Sequence, residues 1–231
     1  MKSAATLYKY FFATVIICVL PGCFEHKSRF DDEPEMNDQI HADIDSPDID
    51  RKLGEDRFHW QRPDFVIDQL GDISDKKIAD LGAGSGYFSF RLVKKAAGLI
   101  AIDIDPEMIK LLEEEKEYYS DEIKARFEAR LASPNDPGLN PQEVDIILLV
   151  NTYAYIEDRV NYFKKLKTAL KPGGLLMIVD FKKRKLPIGP EKEFKVSLTR
   201  VEEELTAAGY KSIVSDDYSL AYQYIVKAYA E

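Results

Sequence analysis

The fold of this chain is decided by one stretch of sequence, Lys76-Lys77-Ile78-Ala79-Asp80-Leu81-Gly82-Ala83-Gly84-Ser85-Gly86-Tyr87-Phe88-Ser89. The apolar residues before the first glycine predict a short buried strand. The three glycines remove side chains where the backbone must turn sharply and where a ligand can approach it. Phe88, Leu92 and Val93 recur at helical spacing, so a helix should follow the turn. Free backbone amides at the start of that helix favour an anionic ligand group.

The spacing of the glycines narrows the choice of ligand. A dinucleotide-binding turn has the pattern Gly-x-Gly-x-x-Gly, and its third glycine would fall at position 87, where this chain has Tyr87. Asp80 precedes the glycines, and a pyrophosphate rarely favours an acidic group at that place. A ligand with both an ammonium and a carboxylate would use Asp80 for the first and the loop amides for the second. These features describe the methionine end of S-adenosylmethionine.

The segment Ile78-Ala79-Asp80-Leu81-Gly82-Ala83-Gly84-Ser85-Gly86 resembles the first motif of the class I S-adenosylmethionine-dependent methyltransferases. The alternative is a tight turn in another doubly wound domain. The resemblance covers roughly Trp60 to the C-terminus and implies an α/β, doubly wound Rossmann-like fold. Its seven-stranded sheet would have the order 3-2-1-4-5-7-6 and end in a C-terminal antiparallel hairpin. The implied cofactor is S-adenosylmethionine, bound by Asp80, Gly82, Ala83, Gly84, Gly86, Tyr87, Asp103, Ile104, Ser133, Asp136 and Asn151.

Two of these positions have alternatives. Asp103 ends a predicted second strand about 20 residues past the glycines, where an acidic residue can bind ribose hydroxyls. It could instead cap the next helix, although Asp105 before Pro106 is the better cap. The turn-rich loop after the third strand should lie against adenine, by resemblance. Position in the chain favours Ser133 for the adenine contact, whereas residue type favours Asp136, and both stay open.

The fourth predicted strand, Val144 to Asn151, is apolar without alternation, as in a central parallel strand. Ligands bind at the carboxyl ends of such strands. The resemblance implies that the methyl group and its acceptor lie here, so the catalytic candidates are Asn151, Tyr153 and Tyr155, whose alternative role is packing and capping. The nearest subgroup of the family often has a histidine where this chain has Ala154, and this departure removes a candidate general base.

The flanking segments complete the expected fold. A helix should start at Pro63, and Trp60 either covers the cofactor or anchors that helix. A helix around 160–170 should end at Lys171-Pro172-Gly173-Gly174, followed by a strand over 175–181. A capped helix over 197–209 and strands over 211–215 and 222–228 should close the chain. The final hairpin argues against a nicotinamide oxidoreductase, which usually lacks it.

Composition restricts the partners. The chain has 231 residues, of which 45% are hydrophobic, and this suits one α/β domain with an additional segment. The net charge of -9 argues against nucleic acid as a partner, because phosphate binding requires a basic surface. No metal site is expected, since His26 and His41 are isolated in a polar segment.

The N-terminal residues resemble a bacterial lipoprotein leader. Residues 1–23 have a basic start, an apolar run too short for an ordinary membrane span, and a lipobox-like ending at Cys23, which would carry the lipid. The alternative is an uncleaved N-terminal anchor. Residues 24–50 would form an acidic flexible tether and residues 51–231 the methyltransferase domain. The predicted location is the bacterial cell envelope, lipid-anchored and facing the periplasm.

Two functional hypotheses follow. The first is a methyltransferase that acts on a small-molecule or lipid-linked acceptor. The second is a membrane-tethered binding module on a methyltransferase scaffold that no longer turns over. Asp80, the glycines and Asp103 argue for the first; Ala154 and the export signal argue for the second.

Overall fold

The computed structural model describes residues 57–231, which form a seven-stranded sheet flanked by helices. The strand order is β3-β2-β1-β4-β5-β7-β6, as expected for the class I fold. The strands are β1 (Lys77–Leu81), β2 (Gly98–Asp103), β3 (Phe127–Leu131), β4 (Val144–Val150), β5 (Leu170–Phe181), β6 (Lys211–Asp216) and β7 (Gln223–Ala230). The first five are parallel, and β7 pairs antiparallel with both β5 and β6. The predicted sheet order and C-terminal hairpin are confirmed.

Short helices connect the strands. A helical stretch at 57–61 leads into α1 (Pro63–Asp68), which begins at the predicted proline. The later helices are α2 (Ser89–Leu92), α3 (Pro106–Lys116), α4 (Asp121–Lys124), α5 (Arg159–Ala169) and α6 (Leu198–Ala207), and 3₁₀ turns occupy Tyr153–Tyr155 and Lys192–Phe194. The helix after the glycines is only one turn long, shorter than the apolar spacing suggested.

The sheet has a hydrophobic core on each face. Alternate residues of the central strands point to opposite faces, so Ala79 and Ile147 contribute to one core and Ile78 and Leu148 to the other. Strand β4 is buried almost throughout, which confirms its prediction as a central strand. Because β1 to β5 are parallel, the loops that follow their carboxyl ends lie at one edge of the sheet.

The prediction that Lys171 to Gly174 ends a helix is wrong. Helix α5 ends at Ala169, and β5 already begins at Leu170, which pairs with Val144. Gly174 is needed inside the strand, because a Cβ there would lie 2.8 Å from the Lys171 carbonyl oxygen. The glycines therefore serve an irregular strand start rather than a helix stop.

The predictions for the N-terminal region lie outside the described residues. They concern the leader at 1–23, the tether at 24–50, Cys23 and the two histidines of the tether, as well as residues 51–56 of the domain. Within residues 57–231, no helix is long and apolar enough to cross a membrane.

Candidate functional site

A cavity of about 560 Å³ opens at the carboxyl ends of β1, β2, β3 and β4. The predicted site residues that line this ligand cavity are Gly82, Asp103, Ile104, Asn151 and Tyr155. They come from three different loops that the parallel strands bring to one edge. The cavity is therefore where a doubly wound sheet is expected to bind a ligand.

The first and last glycines of the turn pack tightly against their neighbours, and the middle one does not. A Cβ on Gly82 would lie 2.2 Å from Thr152 Oγ1, and one on Gly86 would lie 2.5 Å from Phe90 Cε2. A Cβ on Gly84 would meet nothing within 4 Å, although its φ of +53° favours glycine. The first and third glycines thus permit packing, and the middle one permits a positive φ.

Asp103 links the glycine turn to the end of β2. Its Oδ2 accepts a hydrogen bond from the Gly84 amide at 2.8 Å, and its Oδ1 accepts from the Asp105 amide at 3.1 Å. Asp105 accepts from the Glu107 amide at 2.8 Å, which confirms that it caps α3. Asp105 thus fills the capping role, and Asp103 lines the ligand cavity.

Asp80 lies beneath the turn rather than in the cavity lining. It is 2% exposed, and its Oδ2 accepts from Ser89 Oγ at 2.6 Å. Burial raises the pKa of Asp80 to about 6, and the hydrogen bond from Ser89 and the charge of Arg57 only partly oppose this. A nearby ligand cation would favour the ionised form of this carboxyl.

Three other predicted cofactor residues of the turn, Ala83, Gly84 and Gly86, also fall outside the cavity lining. The same holds for Tyr87, whose ring lies 4.1 Å from the Arg57 guanidinium carbon and 4.0 Å from that of Arg91. Its buried hydroxyl has no hydrogen-bond partner among the described residues. The structure therefore gives Tyr87 a packing role between two cationic side chains.

A chain of buried amides reaches Asn151 from distant parts of the sequence. Asn151 has a φ of +59°, and its Oδ1 accepts from Gln223 Nε2 at 2.5 Å. Gln223 Oε1 in turn accepts from Gln61 Nε2 at 3.1 Å. Gln61 and Gln223 are both fully buried. Sequence reasoning missed Gln223, because no local pattern shows that the start of β7 lies beside the end of β4.

The two tyrosines of the loop after β4 have different environments. Tyr155 is exposed and lines the ligand cavity. Tyr153 is buried, and its hydroxyl donates to Glu204 Oε2 at 2.6 Å. Burial raises the pKa of Tyr153 further above its usual range. The Tyr153 hydroxyl therefore faces α6 and not the cavity, and Tyr155 is the tyrosine of this loop that lines it; a catalytic role of Tyr153 stays a prediction.

The loop after β3 presents neither of the two adenine candidates to the cavity. Ser133 and Asp136 pair through their backbones at 3.0 and 3.1 Å, and Asp136 forms an ion pair with Lys165 at 2.6 Å. The intervening residues Pro134 and Asn135 line the cavity instead. The two ends of the turn pair with each other and its tip lines the cavity, so the adenine contact of Ser133 or Asp136 stays a prediction.

Two further residues near the site have buried polar atoms. Asp180, at the end of β5, accepts from the Phe181 amide at 2.7 Å, and its Oδ2 has no partner among the described residues. Burial raises the pKa of Asp180 to about 6. The Trp60 ring packs 5.6 Å from Phe181 and 6.5 Å from Tyr222, as the anchoring interpretation expects.

Within residues 57–231 no group of histidine, cysteine and carboxylate side chains could hold a metal ion.

Comparisons with known proteins agree with this architecture. A family described as "Methyltransferase domain" matches residues 72–224. An uncharacterized methyltransferase of Mycobacterium tuberculosis is 27% identical over 51% of this chain and 44% of its own length. The ubiquinone biosynthesis O-methyltransferase of Aeromonas salmonicida is 23% identical over 51% of this chain and 48% of its own length. The chain thus spans less than half of these curated relatives.

Solved structures share the fold. A SAM dependent methyltransferase from Aquifex aeolicus superposes with a TM-score of 0.70 at 24% identity, covering 84% of this chain and 98% of that one. A Haemonchus contortus phosphoethanolamine N-methyltransferase in complex with S-adenosyl-L-methionine has a TM-score of 0.62 at 13% identity, over 74% of this chain and 52% of that one.

Proposed function

We propose that this chain transfers a methyl group from S-adenosylmethionine to a small-molecule or lipid-linked acceptor, since it belongs to the methyltransferase domain family. One observation carries this proposal. The Asp103 carboxylate is held by the Gly84 amide at 2.8 Å and borders a cavity of about 560 Å³ at the strand ends. A carboxylate at this place is suited to accept hydrogen bonds from two ribose hydroxyls.

The residues present fit this cofactor. Ile104 and Pro134 give the ligand cavity an apolar wall that suits a flat base, and Asp103 offers carboxylate oxygens beside it. No other residue packs within 4 Å of where a Cβ on Gly84 would lie, although the Gly84 amide already donates to Asp103. Asp80 supplies a buried carboxyl under the turn whose ionised form a ligand ammonium would stabilise. Acidic and apolar groups are thus both near one cavity.

The chain contributes binding and alignment. S-adenosylmethionine, when bound, supplies a methyl group on a sulfonium that is already activated toward displacement. Asp103 and the glycine turn would hold the nucleoside and amino-acid ends, and the buried amides behind Asn151 keep its side chain in one orientation. Tyr155 lines the cavity beside Asn151. Ala154 supplies no base, and alignment alone is a large part of such catalysis.

Calorimetry on the full chain tests the proposal. We expect S-adenosylhomocysteine to bind, and Asp103→Asn to weaken binding by about 10- to 100-fold, the usual effect of losing hydrogen bonds to a charged group. Asp105→Asn is the matched control, because this carboxylate caps α3 and does not line the cavity. A folded protein that binds no ligand at millimolar concentration would refute the assignment. Binding without methyl transfer to any acceptor would favour the inactive binding module.

We also propose that Cys23 carries a lipid and holds the domain on the envelope membrane, facing the periplasm. The support is the lipobox-like segment at the end of the apolar leader. Metabolic labelling with a fatty acid should label the wild-type protein and leave Cys23→Ser unlabelled. Equal labelling of the two proteins, or none in either, would contradict this proposal.

A further inference from the structure

A second cavity of about 340 Å³ adjoins the proposed cofactor site. Tyr155 lines both cavities, so the two share one wall. The side chains around the second cavity include four cations, Arg159, Lys183, Lys195 and Arg200, against one carboxylate, Glu193. This basic pocket stands out in a chain whose net charge is -9.

The two arginines of the basic pocket already have an anionic partner. Arg159 Nε donates to Glu204 Oε2 at 2.6 Å, and Arg200 Nε donates to Glu204 Oε1 at 2.7 Å. Arg200 also forms an ion pair with Glu203 at 3.8 Å, so the charges of the two arginines are balanced by two carboxylates. The two lysines are therefore the cations of the pocket that could bind an anionic ligand.

Lys195 is the exceptional group. It is 2% exposed, yet no carboxylate within residues 57–231 lies within 4.0 Å of its ammonium. Its Nζ donates to the Arg184 carbonyl oxygen at 3.2 Å and lies 5.7 Å from the centre of the Phe181 ring. Burial lowers the pKa of Lys195, and the more distant charges of Glu191 and Glu193 oppose this only in part.

An ammonium group has three donors, and a buried cation is normally paired or fully hydrogen-bonded. Lys195 uses one donor on a neutral carbonyl, so two remain for a ligand. Lys183, on the same wall, is exposed and forms no ion pair in the described part of the chain. Two lysines without anionic partners therefore face one cavity that touches the cofactor site.

We propose that the basic pocket binds an anionic group, a carboxylate or a phosphate, carried by the methyl acceptor. This inference rests on the proposed function, because the shared Tyr155 wall makes the pocket an acceptor site only if the ligand cavity holds the methyl donor. Two ammonium groups suit such an anion through charge-assisted hydrogen bonds. The positive field of the pocket would also draw an anion toward an otherwise acidic protein.

The test measures anion binding by the full chain with Cys23→Ser in every sample, which keeps it free of lipid. Calorimetry follows the addition of sodium phosphate or sodium acetate at fixed ionic strength, with S-adenosylhomocysteine present. We expect saturable binding by the parent protein, weakened about tenfold or more in Lys195→Met and a few-fold in Lys183→Gln. Lys185→Gln is the matched control, because this neighbouring exposed lysine does not line the pocket.

Several results would overturn the inference. One is that neither anion shows saturable binding. Another is that the parent, Lys183→Gln and Lys195→Met proteins bind the anions with equal affinity. Lys183→Gln keeps the inference falsifiable if Lys195→Met fails to fold, since Lys183 is exposed. If S-adenosylhomocysteine binds and the anions do not, this inference fails and the proposed function stands. If the anions bind and S-adenosylhomocysteine does not, the proposed function fails and the acceptor assignment fails with it.

Vesicles separate the two sources of a phosphate. The parent protein and Lys195→Met are sedimented with phosphatidylcholine vesicles that contain or lack phosphatidic acid. Retention that needs both phosphatidic acid and Lys195 supports a lipid headgroup as the occupant. Free phosphate binding without such retention supports a soluble acceptor. Retention of both proteins alike, together with equal phosphate affinities, overturns the inference.

Discussion

Replacement of Glu204 by glutamine should destabilise the domain more than any other single loss of charge on α6. The Glu204 carboxylate is 5% exposed and accepts hydrogen bonds from Tyr153, Arg159 and Arg200 at 2.6 to 3.2 Å. Burial raises the pKa of Glu204, but these hydrogen bonds outweigh it, and the pKa is lowered overall. One side chain thus joins α6 to the loop that carries Tyr155.

The magnitude follows from what each partner loses. The Tyr153 hydroxyl is buried and would keep at most one weaker acceptor, which costs about 1–2 kcal/mol. The Arg159 side chain is partly exposed and loses its anionic partner at a similar cost. Arg200 is mostly exposed and contributes less. We expect a loss of about 2–4 kcal/mol in the free energy of unfolding, or roughly 5–15 °C in Tm.

Urea unfolding at pH 7 measures this loss, with Glu203→Gln as the control. Glu203 is exposed and reaches Arg200 only at 3.8 Å, so its replacement should change stability by less than about 0.5 kcal/mol. Because the folded pKa of Glu204 is lowered, its contribution is present above the ordinary value of 4.5 and is lost as the pH falls through the folded value. Equal stability of the two variants at pH 7 would refute the reasoning.

Three more predictions test the environment of the site. Gly82→Ala should lose S-adenosylhomocysteine binding, because the new Cβ would lie 2.2 Å from Thr152 Oγ1. Calorimetry measures the binding, and a folded variant with normal affinity would contradict the prediction. Burial raises the pKa of Asp180 to about 6, so the free energy of unfolding should fall as the pH rises from about 4 to 6; in Asp180→Asn this dependence should be weaker, and urea unfolding at several pH values that shows the same dependence in both proteins would contradict this. Gln223→Leu should weaken S-adenosylhomocysteine binding several-fold by releasing Asn151, and an unchanged affinity would argue against a positioning role.

The sheet could be predicted because its signals are local. The apolar run of β4 and the strand before the glycines are buried on both faces, so hydrophobicity alone marks them. The glycine turn and Asp103 carry chemical requirements that few other residues meet. The start of β5 was missed because pairing with Val144 decides it, and the sequence shows no such pairing.

The candidate site was predicted less well, since side-chain direction depends on contacts that are distant in sequence. Tyr153 and Tyr155 are of one residue type two positions apart, but Tyr153 is buried, with its ring stacked on Phe163 and its hydroxyl bonded to Glu204 on α6. Asp136 carries the right chemistry for adenine, but in the structure its side chain pairs with Lys165 and does not line the cavity. Glu204 is distant in sequence from Tyr153, and Lys165 is distant in sequence from Asp136.

The C-terminal hairpin does more than classify the fold. Gln223 is the first residue of β7, and the antiparallel pairing of β7 with β5 sets it opposite Phe181. That register brings its amide to Asn151, which β4 delivers to the cavity in a left-handed conformation. The same amide accepts from Gln61, in the helical stretch before α1. A shift of β7 by one residue would turn Gln223 to the other face of the sheet and leave both partners unsatisfied. The hairpin therefore fixes the geometry of the site as well as the edge of the sheet.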